Sequence, residues 1–402
     1  MNDMNDFGSI NSAGSCPADD AVCGDVTCGG LKSCGAELKI SSRRPFEIGG
    51  HMLTLPLIQG GMGVGISLSG LAGAVAAVGG VGVISTAQIG FNEEGWDKHP
   101  VETNLIAIEK HITRAKEIMR EASRATGAAA SGMVAVNIMV ATRFYEKYVR
   151  AAVKAGADLI ISGAGLPAAL PDFVKGTKTK IAPIVSSIKA AKVILRLWDK
   201  KFKRIPDLVV IEGPLAGGHL GFHREELDHI DMAAYDEEIR GIMDITRAYG
   251  ESYGCHIPVA VAGGISDRTR VEHCLDELGA DAVQVATRFV TTKECDAPPA
   301  YKQAYINASP EDIVIVKSPV GMPGRAIRNA FMQRAESGER FPIHCHSCLE
   351  KCDPAKIPYC ITDALVNAAR GDVDNALLFC GADAWKAQKI ETVAEVIADL
   401  FD

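Results

Sequence analysis

One histidine stands out for the company it keeps. His219 lies in Ala216-Gly-Gly-His-Leu-Gly221, where the neighbouring side chains carry little bulk. An imidazole so placed faces the mouth of a site and can exchange a proton with a substrate near neutral pH. The plainer alternative for a lone histidine is a structural role. Thiols form the second candidate group. The run Cys345-x2-Cys348-x3-Cys352-x7-Cys360, with His344 and His346 beside it, begins with thiolates at spacing that can hold an iron–sulphur cluster or zinc, while its last interval fits no standard spacing. Its alternative is a set of buried free cysteines. Cys16, Cys23, Cys28 and Cys34 are spaced less regularly, in a segment with little core-forming sequence. Asn137 carries an amide that can donate to and accept from the polar edge of a ring, or else cap a loop.

These residues need a frame, and short apolar, β-branched runs supply it. Eight occur: Leu55 to Gln59, Val81 to Ser85, Met133 to Asn137, Leu159 to Ser162, Ile181 to Val185, Leu208 to Glu212, Val259 to Ala262 and Ala282 to Val285. Most are separated by helix-like sequence, and the typical repeat of about 25 residues is one βα unit with short loops. Two longer intervals read as insertions, Phe91 to Gly132 and Gly221 to Cys255, placed to cover or flank a mouth. Near-continuous apolar runs fit strands buried on both faces, which is a parallel sheet. Eight such units favour an α/β fold closed as a (β/α)8 TIM barrel, whose active site lies at the C-terminal strand ends.

Those ends are rich in glycine. The first strand ends Gln59-Gly-Gly-Met-Gly63, the fourth Ser162-Gly-Ala-Gly165, the sixth Glu212-Gly-Pro-Leu-Ala-Gly-Gly-His219, and the seventh Ala262-Gly-Gly264. Gly263-Gly264 and, after the eighth strand, Ala286-Thr287 stand where such barrels commonly hold phosphate on backbone amides. A phosphate-bearing, flat ligand that contacts main chain along its edge is expected, and FMN is the economical choice. Ser186 and Lys189, after the fifth strand, are further candidates to meet it.

Composition limits the alternatives. The chain has 402 residues, 47% hydrophobic and 23% charged, in the ordinary globular range. A net charge of −8 leaves no basic field for nucleic acid. Ile66 to Gly90 lacks charge, but Gly79-Gly80 divides it into a helical half and a strand, so no membrane span is expected. The first residues lack a basic segment leading into an apolar one, so a cytoplasmic location is expected, and with it reduced thiols or metal ligands among the 12 cysteines. The expected organisation is a flexible extension over 1–44, the FMN-binding barrel with its insertions over 45–329, and a Cys-rich helical extension over 330–402. The expected partner is a small-molecule substrate, and exposed helices leave a homodimer open.

In combination and order, several motifs resemble the nitronate monooxygenase family, formerly called 2-nitropropane dioxygenases, and the related flavin-dependent enoyl-acyl-carrier-protein reductases. They are Gln59-Gly-Gly-Met-Gly63, Val136-Asn-Ile-Met139, Ser162-Gly-Ala-Gly165, Glu212 to Gly221, Ala262-Gly-Gly-Ile265, Val283 to Phe289 and Pro319-Val-Gly-Met-Pro-Gly-Arg325. The resemblance spans Pro45 to Asn329. It implies that Gly61, Met62, Asn137, Gly163, Glu212, Gly217 and Gly218 lie along the flavin ring and ribityl chain, that Gly263, Gly264, Ala286 and Thr287 hold the phosphate, and that His219 is the active-site acid/base. Ala286 stands where the family usually has glycine, which adds one methyl group. The implied activity is oxidation of alkyl nitronates with O2. One alternative is reduction of an enoyl thioester by NAD(P)H through the same flavin. From a different class comes a flavin and thiol redox sensor, or a partner-docking protein, built on the tail cysteines.

Overall fold

The computed structural model describes residues 45–127 and 131–402; the extension expected over 1–44, with its four cysteines, lies outside them. All eight apolar runs form strands. In chain order the strands are β1 (Phe46–Ile48), β2 (His51–Leu53), β3 (Leu57–Gln59), β4 (Val81–Ser85), β5 (Met133–Met139), β6 (Leu159–Gly163), β7 (Lys180–Val185), β8 (Val209–Glu212), β9 (Gly218–His219), β10 (Val259–Ala262), β11 (Ala282–Val285), β12 (Ile313–Lys317) and β13 (Pro323–Ile327). Strands β3 to β8, β10 and β11 close into one barrel in sequential order, and every pairing in it is parallel. This is a (β/α)8 barrel. Closure comes from Val283 beside Leu57 on one side and Val210 beside Ala260 on the other.

Side chains alternate across each strand, as the two-residue period requires. Val81, Val83, Met133, Ala135, Leu159 and Ile161 point into the barrel; Ile84, Val134, Val136 and Ile160 pack outward on the helices. The antiparallel β1–β2 hairpin contributes Phe46, Ile48 and Leu53 to the inner cluster and so closes one end of the barrel. The helix–sheet contact is tight. A Cβ on Gly82 would come 1.8 Å from the Ala72 carbonyl oxygen on the helix Ser69–Ala77, and one on Gly132 would come 2.0 Å from that of Ala76.

The charge-free stretch 66–90 divides as expected, into the helix Ser69–Ala77 and strand β4. Among the described residues no helix is long and apolar enough to cross a membrane. The two long intervals differ from their reading as insertions. They are largely the barrel's own crossover helices, Pro100–Thr126 and Met232–Ser252, and both send residues into the outer core. Their length misled because a βα unit tolerates a long helix as readily as a short one.

The described residues form one compact unit. Ala368, Leu378, Val396, Leu400 and Phe401 belong to the same core cluster as the barrel strands, and backbone bonds run from Ile327 to Leu378 (2.9 Å) and from Cys380 to Arg325 (3.0 Å). Outside the barrel, β12, β13 and β9 make a small antiparallel sheet. The helix–sheet contact yields a test. Gly82→Ala places a methyl group against backbone that cannot swing aside, and should lower unfolding stability by about 3 kcal/mol, the upper end for an overpacked core. A denaturant midpoint equal to wild type would show that the helix and sheet are not packed this closely.

Candidate active site

A cavity of about 310 Å³ opens at the C-terminal ends of the barrel strands. Gly61, Met62, Asn137, Gly163, Glu212, Gly217, Gly218, His219, Gly263, Gly264, Ala286 and Thr287 all line it, although they come from six different strand ends and span more than half the chain. Ser186 and Lys189 do not line it. Much of the wall is main chain. Gly263 and Gly264 adopt positive φ values of 96° and 70°, and a Cβ on Gly263 would approach the backbone of Gly213 and Ala216 to 3.0 Å. Glycine is required there both by the left-handed turn and by the close approach.

His219 is held differently from the sequence reading. It is not on a free loop after the sixth strand. Gly218 and His219 form strand β9, which pairs with β13 through Gly324 opposite His219 and Arg325 opposite Gly218. The buried Arg325 guanidinium donates to the carbonyls of Pro214 (2.9 Å) and Ala216, which pins the rest of the loop. The imidazole Nε2 lies 2.7 Å from Ser318 Oγ, and the ring meets Phe379 edge-on with centroids 4.9 Å apart. Burial lowers its pKa from 6.5 to about 4, because the charged form loses more hydration than the neutral one. At neutral pH it is therefore an unprotonated base; the sequence reading placed its titration near neutrality.

Glu212 is shifted the opposite way. Desolvation raises its carboxyl to about 7, and no lysine or arginine lines the cavity to offset it. An anionic ligand group must therefore rely on backbone amides and hydroxyls. The far wall is apolar, with Val64, Met139, Val320, Met322, Leu365 and Phe379.

Several residues of the site escaped the sequence reading. Phe379, Cys380 and Gly381 line it from the C-terminal region, Ser318 reaches it through His219, and a Cβ on Gly381 would come 2.4 Å from Thr287 Oγ1. Ser318 had one signal, its place at the head of the Gly/Pro-rich run 318–324. Phe379 to Gly381 had none, since nothing local links them to strands so far away in sequence.

The tail cysteines are distributed. Cys348 stands on the cavity wall, Cys345 is exposed, Cys352 is half-buried, and Cys360 is buried at the start of the helix Ile361–Arg370. No three of these four thiols lie within 4.8 Å of one another; the described group that does is His346, Cys360 and Asp363. Tetrahedral zinc would need sulphurs roughly 3.8 Å apart, as its bond lengths of about 2.3 Å dictate. The four thiols are therefore spread more widely than the ligand sphere of a single zinc ion, with Cys345 exposed. His346 Nε2 is 2.6 Å from Asp363 Oδ1, and its ring stacks on Trp96.

With this geometry in view, comparison with known proteins is decisive at the level of family. The family model described as nitronate monooxygenase matches residues 44–402. The chain belongs to the nitronate monooxygenase family. The match runs through the Cys-rich tail, well beyond Asn329 where the motif resemblance ended. Probable nitronate monooxygenases of Staphylococcus aureus, strain Newman among them, are 32% identical over 133 residues, 33% of this chain and 35% of theirs. The matched region thus spans about a third of the length of these curated relatives. FabK from Thermotoga maritima has a similar structure, with a TM-score of 0.62 and 23% identity over 87% of this chain and 92% of that one. Nitroalkane oxidase from Streptomyces ansochromogenes matches with a TM-score of 0.62 and 18% identity over 87% and 95% of the two chains. The likeness to both is one of fold.

The opposed shifts give a pH prediction. His219, lowered to about 4, contributes stability that is present above its unfolded pKa of 6.5 and is lost as pH falls toward 4. Glu212, raised to about 7, contributes stability that is present below 4.5 and is lost as pH rises through 7. In the ligand-free protein, the His219 imidazole resonance, assigned with His219→Asn, should titrate near 4 by NMR. A midpoint near 6.5 would mean that the ring is solvated.

Proposed function

We propose that this chain is an FMN-dependent oxidoreductase that oxidises alkyl nitronates with O2, with His219 as the active-site acid/base. The observation that carries it is a barrel-mouth cavity walled by glycine backbone, with a neutral imidazole on its rim and no cationic side chain in its lining. That wall fits FMN. Gly61, Met62, Asn137, Gly163, Glu212, Gly217 and Gly218 would border the ring and ribityl chain. Gly263, Gly264 and the start of the helix Thr287–Val290 would take the phosphate on backbone amides and the Thr287 hydroxyl. Bound there, FMN supplies the two-electron chemistry, while the protein supplies position and electrostatics.

Where the neutral nitroalkane is supplied, His219, unprotonated at neutral pH, takes its α-proton to give the nitronate that is then oxidised. Ser318 and Phe379 hold the ring in place for that transfer. The amide of Asn137 can bond the flavin edge, and Glu212, with its pKa near 7, can stand neutral beside it. The apolar wall keeps water from the reacting face and accepts the alkyl part of the substrate. A cytoplasmic setting accords with the described cysteines, all of them unpaired.

The same apolar wall favours a second reading, NAD(P)H-dependent reduction of an enoyl thioester, whose acyl chain it would accommodate. Anaerobic bleaching of the bound flavin separates the two: bleaching by a nitronate alone supports the proposal, and bleaching by NADH or NADPH supports the reductase. Bleaching by neither, with oxidation of tail thiols instead, would replace both with a redox sensor. His219→Ala should keep FMN and slow the proton-dependent step at least tenfold, within the ~10²–10⁴-fold that general acid–base groups contribute. Unchanged turnover of the neutral nitroalkane in that variant would remove His219 from the mechanism.

A further inference from the structure

Between the helices Ala330–Glu336 and Ile361–Arg370, residues 337–360 form neither helix nor strand, apart from a single bridge between Thr142 and Leu349. Irregular segments of this length are uncommon inside a compact unit and usually serve a function. This one is ordered against the barrel, where Arg143 N donates to Cys348 O (2.9 Å) and Glu350 N to Ala141 O (3.0 Å), and within itself, where Phe341 N donates to Pro358 O (3.0 Å). It carries Cys345, Cys348 and Cys352 and ends on Cys360.

The four thiols are neighbours without being in contact. Cys348 lies within electrostatic reach of Cys345, Cys352 and Cys360, and Cys352 within reach of Cys345. They are too far apart for one shared metal ion, since no three lie within 4.8 Å. A cluster is different. Its iron atoms each take one thiolate and its own sulphides fill the space between them, so the thiolates stand wider apart than around a single ion. We propose that Cys345, Cys348, Cys352 and Cys360 bind an iron–sulphur cluster of the four-cysteine class on the wall of the active-site cavity.

Two further features fit that ligand. Cys348 is itself a cavity-lining residue, as are Ile361 and Thr362 beside Cys360, so the cluster would share a wall with the substrate and cofactor site. His346 and Asp363 bond one another at 2.6 Å next to Cys360. Hydrogen bonding around the sulphurs is what tunes the potential of such clusters. The centre would be a one-electron port beside a cavity whose main chemistry moves electrons in pairs. The assignment does not depend on the flavin reading, and the two fail separately.

The test uses the full chain purified without oxygen, with iron, zinc and acid-labile sulphide quantified and folding followed by circular dichroism. About four iron and four sulphide per chain are expected for a cubane cluster. Cys345→Ser, at an exposed position that spares the core, and Cys352→Ser should each lose most of both, while Cys255→Ser, also exposed and outside the set, should keep them. Stoichiometric zinc without sulphide would overturn the proposal. So would metal that survives both serine variants but is lost in His346→Ala, which would assign a single ion to His346, Cys360 and Asp363. Absence of iron after anaerobic reconstitution with ferrous iron and sulphide would also overturn it.

Discussion

The pairing of β9 with β13 is the contact on which the site depends. One residue pair of it sets Gly324 against His219 and the next sets Arg325 against Gly218, joining a barrel loop to a hairpin about a hundred residues away. Arg325 strengthens the joint by reaching two carbonyls of the same loop. A buried guanidinium is costly unless its donors are satisfied, so the loop carbonyls and the arginine hold each other in one arrangement. With that joint made, the His219 ring has Ser318 on one side and Phe379 on the other. The rest of the C-terminal region then follows across the mouth.

Covering the mouth changes its chemistry. An open barrel end would leave His219 and Glu212 with ordinary titration, since water would solvate their charged forms. Enclosure by Val320, Met322, Leu365 and Phe379 penalises charge on both, and because one is a cation when charged and the other an anion, their pKa values approach and cross. Near neutral pH His219 is therefore neutral, and Glu212 stands about half protonated instead of fully charged. Such a cavity can host proton and electron transfer with little electrostatic background.

Legibility in the sequence follows range. Strand positions could be read because parallel strands buried on both faces must be apolar along their whole length, as Val81 to Ser85 and Ala282 to Val285 are. The glycines at strand ends could be read because positive φ and close backbone approach leave no other residue, as at Gly263 and Gly264. Crossover length could not be read as architecture, so the helices Pro100–Thr126 and Met232–Ser252 looked like insertions. Phe379 and Gly381 carry no local mark of function, since a phenylalanine and a glycine are common in any core, and Ser318 was marked only by the Gly/Pro-rich run it heads. The tail thiols were visible by spacing, yet spacing is silent on the outward course that exposes Cys345 and keeps the four from closing on one ion.

The sequence by itself therefore determined the barrel, the end of it that carries chemistry, the family to which it belongs and the barrel residues that meet at that end. Each of those rests on local rules: two-sided burial, backbone freedom of glycine, and short-range motifs that read the same in any context. Only the tertiary structure decided how His219 is held, which way it and Glu212 are shifted, and that the C-terminal region forms part of the wall. Those properties arise from desolvation and from contacts between segments distant along the chain, and neither exists until the chain has folded.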